Sequence, residues 1–148
     1  MTLIRNSCTH KAVASFAIAR ARFPSAVQGA LTDIGKKNVG DTRAGILSTK
    51  KTGQVYRVRI RGRMVNHRAS APGEMPANMK GDLQRSIAFI VSGGNQMEFG
   101  ANTKYAAWLE EGTKRMEPRP YLSTIVARNS GYTFNRLSGY VLAEIIQR

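Results

Sequence analysis

The sequence has little of the residue types that most often form disulfides, metal sites or acid–base centres. Its 148 residues include one cysteine, two histidines and nine acidic residues. A lone cysteine excludes a disulfide within the chain, and Cys8 with His10 supplies too few ligands for a structural zinc site. We therefore expect neither a disulfide framework nor a metal or other cofactor.

A run of apolar residues long enough to cross a membrane is also missing. The longest early run, residues 12–19, is too short to span a bilayer. Arg20 and Arg22 follow at once, where the cleavage site of a signal peptide needs small neutral residues. We expect a soluble protein that is made inside the cell and has no membrane partner.

Acidic residues are few compared with basic ones. Lysine and arginine number 23 against nine acids, which gives a formal net charge of +14. Residues 1–74 hold fourteen of the basic residues and three of the acids, so this half carries +11 of the charge. Such a field favours an anionic partner, namely nucleic acid, an acidic protein surface or anionic lipid. Solubility alone is the other explanation.

The sequence predicts an extended basic strand and a long loop within residues 50–80. Arginine occurs at every second position, so that Arg57, Arg59, Arg61 and Arg63 alternate with Tyr56, Val58, Ile60 and Gly62. On one strand this period places all four guanidinium groups on the same face. Like charges ~7 Å apart repel, so the row indicates an anionic partner or the solvated face of an edge strand. The flanking residues Lys50, Lys51 and Arg68 complete the candidate contacts to a partner or to DNA.

Residues 105–122 predict a tight corner between two helices. Tyr105, Trp108 and Leu109 have the i, i+3, i+4 spacing of a helix with one apolar face, which we expect to be buried. Gly112 can adopt the left-handed conformation that ends such a helix. Pro120 suits the first turn of the helix that follows. The pattern is typical of a packing corner and not of a reactive centre.

Carboxylates and serines in the sequence do not form a recognisable catalytic set. Glu110 and Glu111 are adjacent, so a helix turns them ~100° apart and they cannot flank one bond. Glu110 is expected to pair with Arg115 or Arg119 across the turn, or to cap it. No histidine lies in a motif with a serine, and no phosphate-binding glycine loop is present. We therefore expect a protein that is not an enzyme.

The remaining patterns predict helices near both ends of the chain and a β-hairpin between them. We expect helices at 11–22, 25–47, 120–128 and from Thr133 onward, a helical turn at 82–87 after a loop at 66–82, and strands at 86–91 and 96–100. The last helix has an apolar stripe of Phe134, Leu137, Val141, Leu142 and Ile145. This order predicts an α+β fold with a small mixed or antiparallel sheet of three to four strands packed against the N- and C-terminal helices. Residues 1–24 are expected to form an N-terminal arm, and residues 25–148 a single domain.

Three short motifs follow one another in the second half of the chain. The first motif, Gly-x-Leu-x-x-Ser-Ile, is matched by Gly81, Leu83, Ser86 and Ile87. The second, Tyr-Ala…Glu-x-Gly-Thr, is matched by Tyr105, Ala106, Glu110, Gly112 and Thr113. The third, Arg-Pro-aromatic-Leu, is matched by Arg119, Pro120, Tyr121 and Leu122. In this order they resemble the neck or tail-completion proteins, a group of minor tail proteins, of long-tailed double-stranded DNA bacteriophages. The resemblance covers residues 50–128. The chain departs from the family pattern at Glu111, where an aromatic or apolar residue is usual, and at Lys80, where threonine is usual.

This resemblance implies a structural virion protein. The chain would form a ring of six identical subunits at the head–tail junction, between the head-completion or connector protein and the tail terminator or tail tube. It would assemble in the host cytoplasm, and genomic DNA would pass through its lumen. Glu98, Glu110, Glu111 and Glu117 are then candidate acidic contacts to the basic half of a neighbouring subunit. The corner residues would be structural: Tyr105, Trp108, Glu110, Gly112, Thr113, Arg119, Pro120 and Tyr121.

A small basic protein that binds DNA or RNA is the alternative. The segment Arg57–Arg63, with Tyr56, can follow a phosphate backbone without sequence preference. Aromatic stacking platforms are sparse in the basic half, and no helix-turn-helix, finger or RNA-recognition signature occurs. The sequence leaves both functions open.

Overall fold

The computed structural model describes residues 24–146, which form five helices and four strands. The helices are α1 (Pro24–Ser48), α2 (Asp82–Ser86), α3 (Ala106–Glu111), α4 (Leu122–Arg128) and α5 (Ser130–Ile146). The strands are β1 (Val55–Ile60), β2 (Arg63–Arg68), β3 (Ile87–Ser92) and β4 (Gln96–Ala101). The predicted helix at 11–22, the rest of the predicted arm up to residue 23, and Cys8 with His10 lie outside the described residues. No helix in the described range is long and apolar enough to cross a membrane.

The predicted α+β class is confirmed, but the strands form two antiparallel pairs and not one sheet of three or four strands. β1 pairs with β2, and β3 pairs with β4. The β3–β4 hairpin turns at the predicted glycines, since Gly93 and Gly94 both have positive φ. The predicted basic strand ends early because a second turn at residues 61–62 folds the chain back. β2 therefore takes up the start of the predicted loop.

Helix α1 lies at the centre of the fold, between the β3–β4 hairpin and α5. One buried cluster joins the end of α1 to the hairpin, α3 and α4, and includes Ile46, Ile87, Phe99, Tyr121 and Ile125. A second cluster joins α1 to α5 through Ala30, Leu31, Ile34 and Leu137. A Cβ at Gly35 would lie 2.3 Å from the Phe89 ring, so glycine lets the hairpin approach α1 closely.

A single residue, Asn129, separates α4 from α5. The last helix therefore begins at Ser130, and the predicted cap Thr133 lies within its first turn. The Asn129 side-chain amide is buried and donates to Asn38 Oδ1 at 2.9 Å and Asp41 Oδ2 at 2.8 Å on α1. Burial raises the pKa of Asp41, but hydrogen bonds from Asn129 and Lys37 outweigh it, and the pKa stays below its usual value. These contacts fix the break between the helices.

The predicted apolar stripe of α5 is only partly buried. Leu137 packs against α1, whereas Phe134 and Leu142 are 66% and 56% exposed. The face of α5 that meets α1 is set by Asp33, which accepts hydrogen bonds from Arg136 Nε at 2.9 Å and Tyr140 Oη at 3.1 Å. This contact turns part of the stripe outward. The side chain of Ile145 lies outside the described part of the chain.

Candidate interaction site

Strands β1 and β2 form a hairpin, residues 55–68, which we call the arginine hairpin. Its two-residue turn has φ of 48° at Arg61 and 83° at Gly62. Two successive positive φ values are typical of the type I′ turn that matches the twist of paired strands. Arg61 therefore lies in the turn and Arg63 begins β2. The prediction that four arginines share one face of one strand is wrong.

The register of the arginine hairpin sorts its side chains onto two faces. Residues directly opposite each other in an antiparallel pair lie on the same face. One face, the cationic face, carries Val55, Arg57, Arg59, Met64, Asn66 and Arg68. The other, the apolar face, carries Tyr56, Val58, Ile60, Arg63, Val65 and His67. Arg63 consequently lies on the side opposite Arg57 and Arg59.

Both faces of the arginine hairpin are open to solvent. On the apolar face Tyr56 is 50% exposed and Val65 is 39% exposed. On the cationic face the two apolar residues, Val55 and Met64, are about half exposed. A two-stranded hairpin is marginally stable alone, so its position depends on how its base is held.

Backbone and side-chain hydrogen bonds fix the base of the arginine hairpin. The Ala69 N–H donates to Gln54 O at 2.9 Å, and the Gly53 N–H donates to Ala69 O at 3.1 Å. The Arg68 guanidinium donates to Gly53 O at 3.2 Å. Arg68, a predicted partner contact, thus also supports the hairpin in which it lies.

The loop after the arginine hairpin is pinned to the segment before it. The Glu74 carboxylate accepts hydrogen bonds from the Thr52 hydroxyl at 2.6 Å and from the N–H groups of Thr52 and Ala71. These bonds, the hydroxyl bond above all, lower the pKa of Glu74 below its usual value. Lys51 Nζ donates to Met75 O at 2.9 Å, and burial lowers the pKa of Lys51. Lys51 therefore holds the loop, whereas Lys50 is exposed.

The predicted corner, residues 105–122, also holds this loop. Arg119 Nε donates to Ser70 O at 3.1 Å, and the Gly73 N–H donates to Pro118 O at 3.0 Å. Met75 is buried in the main cluster. The corner, the loop and the base of the arginine hairpin therefore form one connected unit. Sequence reasoning missed this connection because it joins segments about 50 residues apart, between Ser70 and Arg119.

Glu110 caps helix α4. Its Oε2 accepts the N–H groups of Tyr121 at 2.9 Å and Leu122 at 3.0 Å, and its Oε1 accepts the N–H and hydroxyl of Ser123 at 2.9 Å and 2.5 Å. Burial raises the pKa of Glu110, but these hydrogen bonds together outweigh it and hold the pKa below its usual value. Of the two roles predicted for Glu110, pairing with Arg115 or Arg119 and capping the turn, these hydrogen bonds show the cap. As a buried side chain, 6% exposed, it is no surface contact to a neighbour.

Trp108 is not buried, contrary to the prediction. It is 57% exposed and Tyr105 is 39% exposed, whereas Ala106 and Glu110 face the interior. Side chains two positions apart on a helix, such as those at 108 and 110, point in directions that differ by ~200° around the helix axis. Because Glu110 points inward to cap α4, Trp108 must point outward. We call Tyr105 and Trp108 the aromatic face of α3.

The rest of the corner follows the prediction more closely. Gly112 ends α3 with φ of 79° and an extended ψ, and a Cβ there would lie 2.7 Å from Met116 O. Thr113 exchanges backbone hydrogen bonds with Met116. Tyr121 is fully buried. Pro120 lies two residues before α4 begins at Leu122, and not in its first turn as predicted.

A groove of about 450 Å³ lies between the base of the arginine hairpin and the corner. Its walls include His67 from β2, Met79 and Leu83 from the next segment, and Tyr105 and Leu109 from the corner. Met79 is 44% exposed. The groove thus connects the apolar face of the hairpin with one residue of the aromatic face of α3.

The predicted acidic contacts are mostly at the surface. Glu98 is exposed on β4, paired with Ile90 across the β3–β4 hairpin. Glu111 and Glu117 are exposed at the end of α3 and in the loop that follows it. Within residues 24–146, no three histidine, cysteine or carboxylate side chains are grouped so that they could hold a metal ion.

The site therefore offers charged and apolar contact surfaces. Comparisons of the chain with protein-family models, with curated proteins and with solved structures found no match. The resemblance to phage neck and tail-completion proteins consequently rests on the short motifs of the sequence alone.

Proposed function

We propose that the protein is a structural subunit of a tailed-phage virion, forming a ring at the head–tail junction. The observation that supports this most is the arginine hairpin, which is anchored at its base but has both faces in solvent. A hairpin exposed in this way gains its stabilising contacts from another molecule. The motif resemblance supplies the class of assembly.

A non-catalytic role is part of the proposal. Glu110, the carboxylate of the corner, is occupied in capping α4. Glu74 and Lys51 are occupied in fixing the loop beneath the hairpin. Side chains of the kind that perform acid–base chemistry thus hold the corner and the base of the arginine hairpin in place.

The cationic face is the side of the arginine hairpin that we expect to lie next to DNA. Arg57, Arg59 and Arg68 lie on this face, and no acidic residue occurs between Asp41 and Glu74. In a ring this face would line or border the lumen through which DNA passes. The neighbours along the virion axis would be the connector protein and the tail terminator or tube.

Virions assembled without the protein test the proposal. We expect full heads and free tails in negative stain. Restoring a variant with Arg57 and Arg59 changed to serine should fail to join them, whereas a matched variant with Lys104 and Lys114 changed to serine should succeed. Joined, infectious particles in the absence of the protein would contradict the proposed function.

A free-standing nucleic-acid-binding module is the second candidate, because the three arginines of the cationic face can contact successive phosphates. Fluorescence anisotropy of a labelled duplex at ~150 mM salt distinguishes the two. Tight binding by the monomer, with a logarithmic salt slope reduced by about 2 in the variant with Arg57 and Arg59 changed to serine, would favour the module. Weak binding that salt abolishes would favour the ring subunit.

A further inference from the structure

Two apolar surfaces of the chain carry large side chains that are exposed to solvent. The first is the apolar face of the arginine hairpin, where Tyr56 is 50% exposed. The second is the aromatic face of α3, where the sole tryptophan, Trp108, is 57% exposed. Tyrosine, tryptophan and arginine are the residues most enriched at the energetic centres of protein interfaces.

These two surfaces do not cover each other within one chain. The base of the hairpin lies beside Tyr105 in the groove, but Val65 in the middle of the hairpin and Trp108 on α3 remain open. Hydrogen bonds from Gly53, Ala69 and Arg119 hold the base in place. The middle and tip of the hairpin are therefore presented to another molecule.

The chemistry of the two surfaces is complementary. The apolar face carries Tyr56, Val58 and Val65 in its lower and middle part, and Arg63 beside the turn. A guanidinium is attracted to the face of an indole ring. Nucleic acid would gain little from the apolar side chains, whereas an aromatic protein surface would cover them.

We propose that the apolar face of the arginine hairpin of one copy docks on the aromatic face of α3 of the next copy. The contact uses different surfaces on the two partners, so it can repeat around a closed ring. The cationic face, on the other side of the same hairpin, is left free for an anionic partner. This inference rests on the proposed ring and identifies the surfaces that build it.

Two variants that each lack one surface test the docking. The hairpin variant carries Tyr56→Ser and Val65→Ser, and the platform variant carries Trp108→Ser. All three side chains are at least 39% exposed, so both variants should fold, as circular dichroism can verify. Removing side chains from the centre of an interface should weaken self-association at least about tenfold, so each variant alone should sediment as a monomer.

Mixing the two variants gives the decisive result, because each retains the surface that the other lacks. We expect a 1:1 complex by sedimentation velocity. The platform variant has no tryptophan, so the emission of the mixture comes from Trp108 of the hairpin variant and should shift to the blue as that ring is covered. A matched variant with Arg57 and Arg59, on the opposite face of the hairpin, changed to serine should assemble like the wild type.

The failures of the two proposals are distinguishable. A wild-type chain that stays monomeric at every concentration overturns the ring itself. A wild-type ring combined with variants that still assemble alone, or with a mixture that stays monomeric, overturns the docking and leaves the ring. A ring in which Trp108 emission remains that of a solvated indole also overturns the docking, because the aromatic face would then be uncovered in the assembly.

Discussion

Replacing Glu110 with glutamine perturbs the residue that decides how the corner is oriented. The wild-type carboxylate accepts hydrogen bonds from the N–H groups of Tyr121, Leu122 and Ser123 and from the Ser123 hydroxyl. A glutamine side chain offers one oxygen and turns an NH₂ group toward donors. At least two of these hydrogen bonds are therefore lost while the shape of the side chain is preserved.

The expected cost follows from these losses. Losing a helix cap costs about 1–2 kcal/mol, and leaving another buried donor unpaired costs about 1–3 kcal/mol. We therefore expect the free energy of unfolding of Glu110→Gln to fall by roughly 3 kcal/mol. Urea denaturation followed by circular dichroism at pH 7 measures this change.

Glu117→Gln is the matched control, because it makes the same chemical change at an exposed position in the loop after α3. A surface substitution of this kind changes stability by about 0.5 kcal/mol or less. If Glu110→Gln were as stable as Glu117→Gln, the cap would not hold the corner, and the explanation for the outward orientation of Trp108 would fail.

The pH dependence of stability gives an independent check on the same carboxylate. The pKa of Glu110 is lowered in the folded protein from the ordinary value of 4.5, so ionisation stabilises the fold above that pH. This stabilisation should be lost as the pH falls below about 4.5 and through the folded pKa. The stability difference between wild type and Glu110→Gln should therefore shrink in acid. A difference that stays constant down to about pH 2 would contradict the assignment.

Three further substitutions test other contacts. Gly112→Ala places a Cβ 2.7 Å from Met116 O at a φ of 79°, and should lower the melting temperature clearly; an unchanged value would refute the close approach. Asn129→Ala removes the buried link from the α4–α5 junction to α1 and should cost about 1–3 kcal/mol in urea denaturation; an effect within error would count against that link. Arg119→Gln removes the guanidinium contact to Ser70 O and should speed proteolytic cleavage near the hairpin base, whereas cleavage at the wild-type rate would show that the base is held by other means.

The elements that the sequence predicted well are those with local signals. Periodicity specifies helix α1 and the helical turn α2, and Gly93-Gly94 specifies the turn of the β3–β4 hairpin. Each of these signals lies within a short stretch of the chain. The glycines of α1 weaken a helix by propensity alone, yet Gly35 packs closely against the Phe89 ring and Gly45 against the flexible end of Met75. Tertiary packing therefore offsets their low propensity.

The elements that were predicted wrongly depend on contacts between distant segments. The spacing of Tyr105, Trp108 and Leu109 identifies a helix, but its inward face is chosen by the bond between Glu110 and α4. The row of arginines identifies extended chain, yet the fold-back at Arg61-Gly62 changes which of them share a face. Gly62 between two alternating segments is the signal that could have indicated this turn.

The account depends most on the claim that this chain assembles with copies of itself through the exposed arginine hairpin. The mass of the purified chain, measured by sedimentation equilibrium over rising concentrations, tests the claim directly. The account predicts a species that closes at one fixed multiple of 16.3 kDa and grows no further. A mass of 16.3 kDa at every concentration would contradict it.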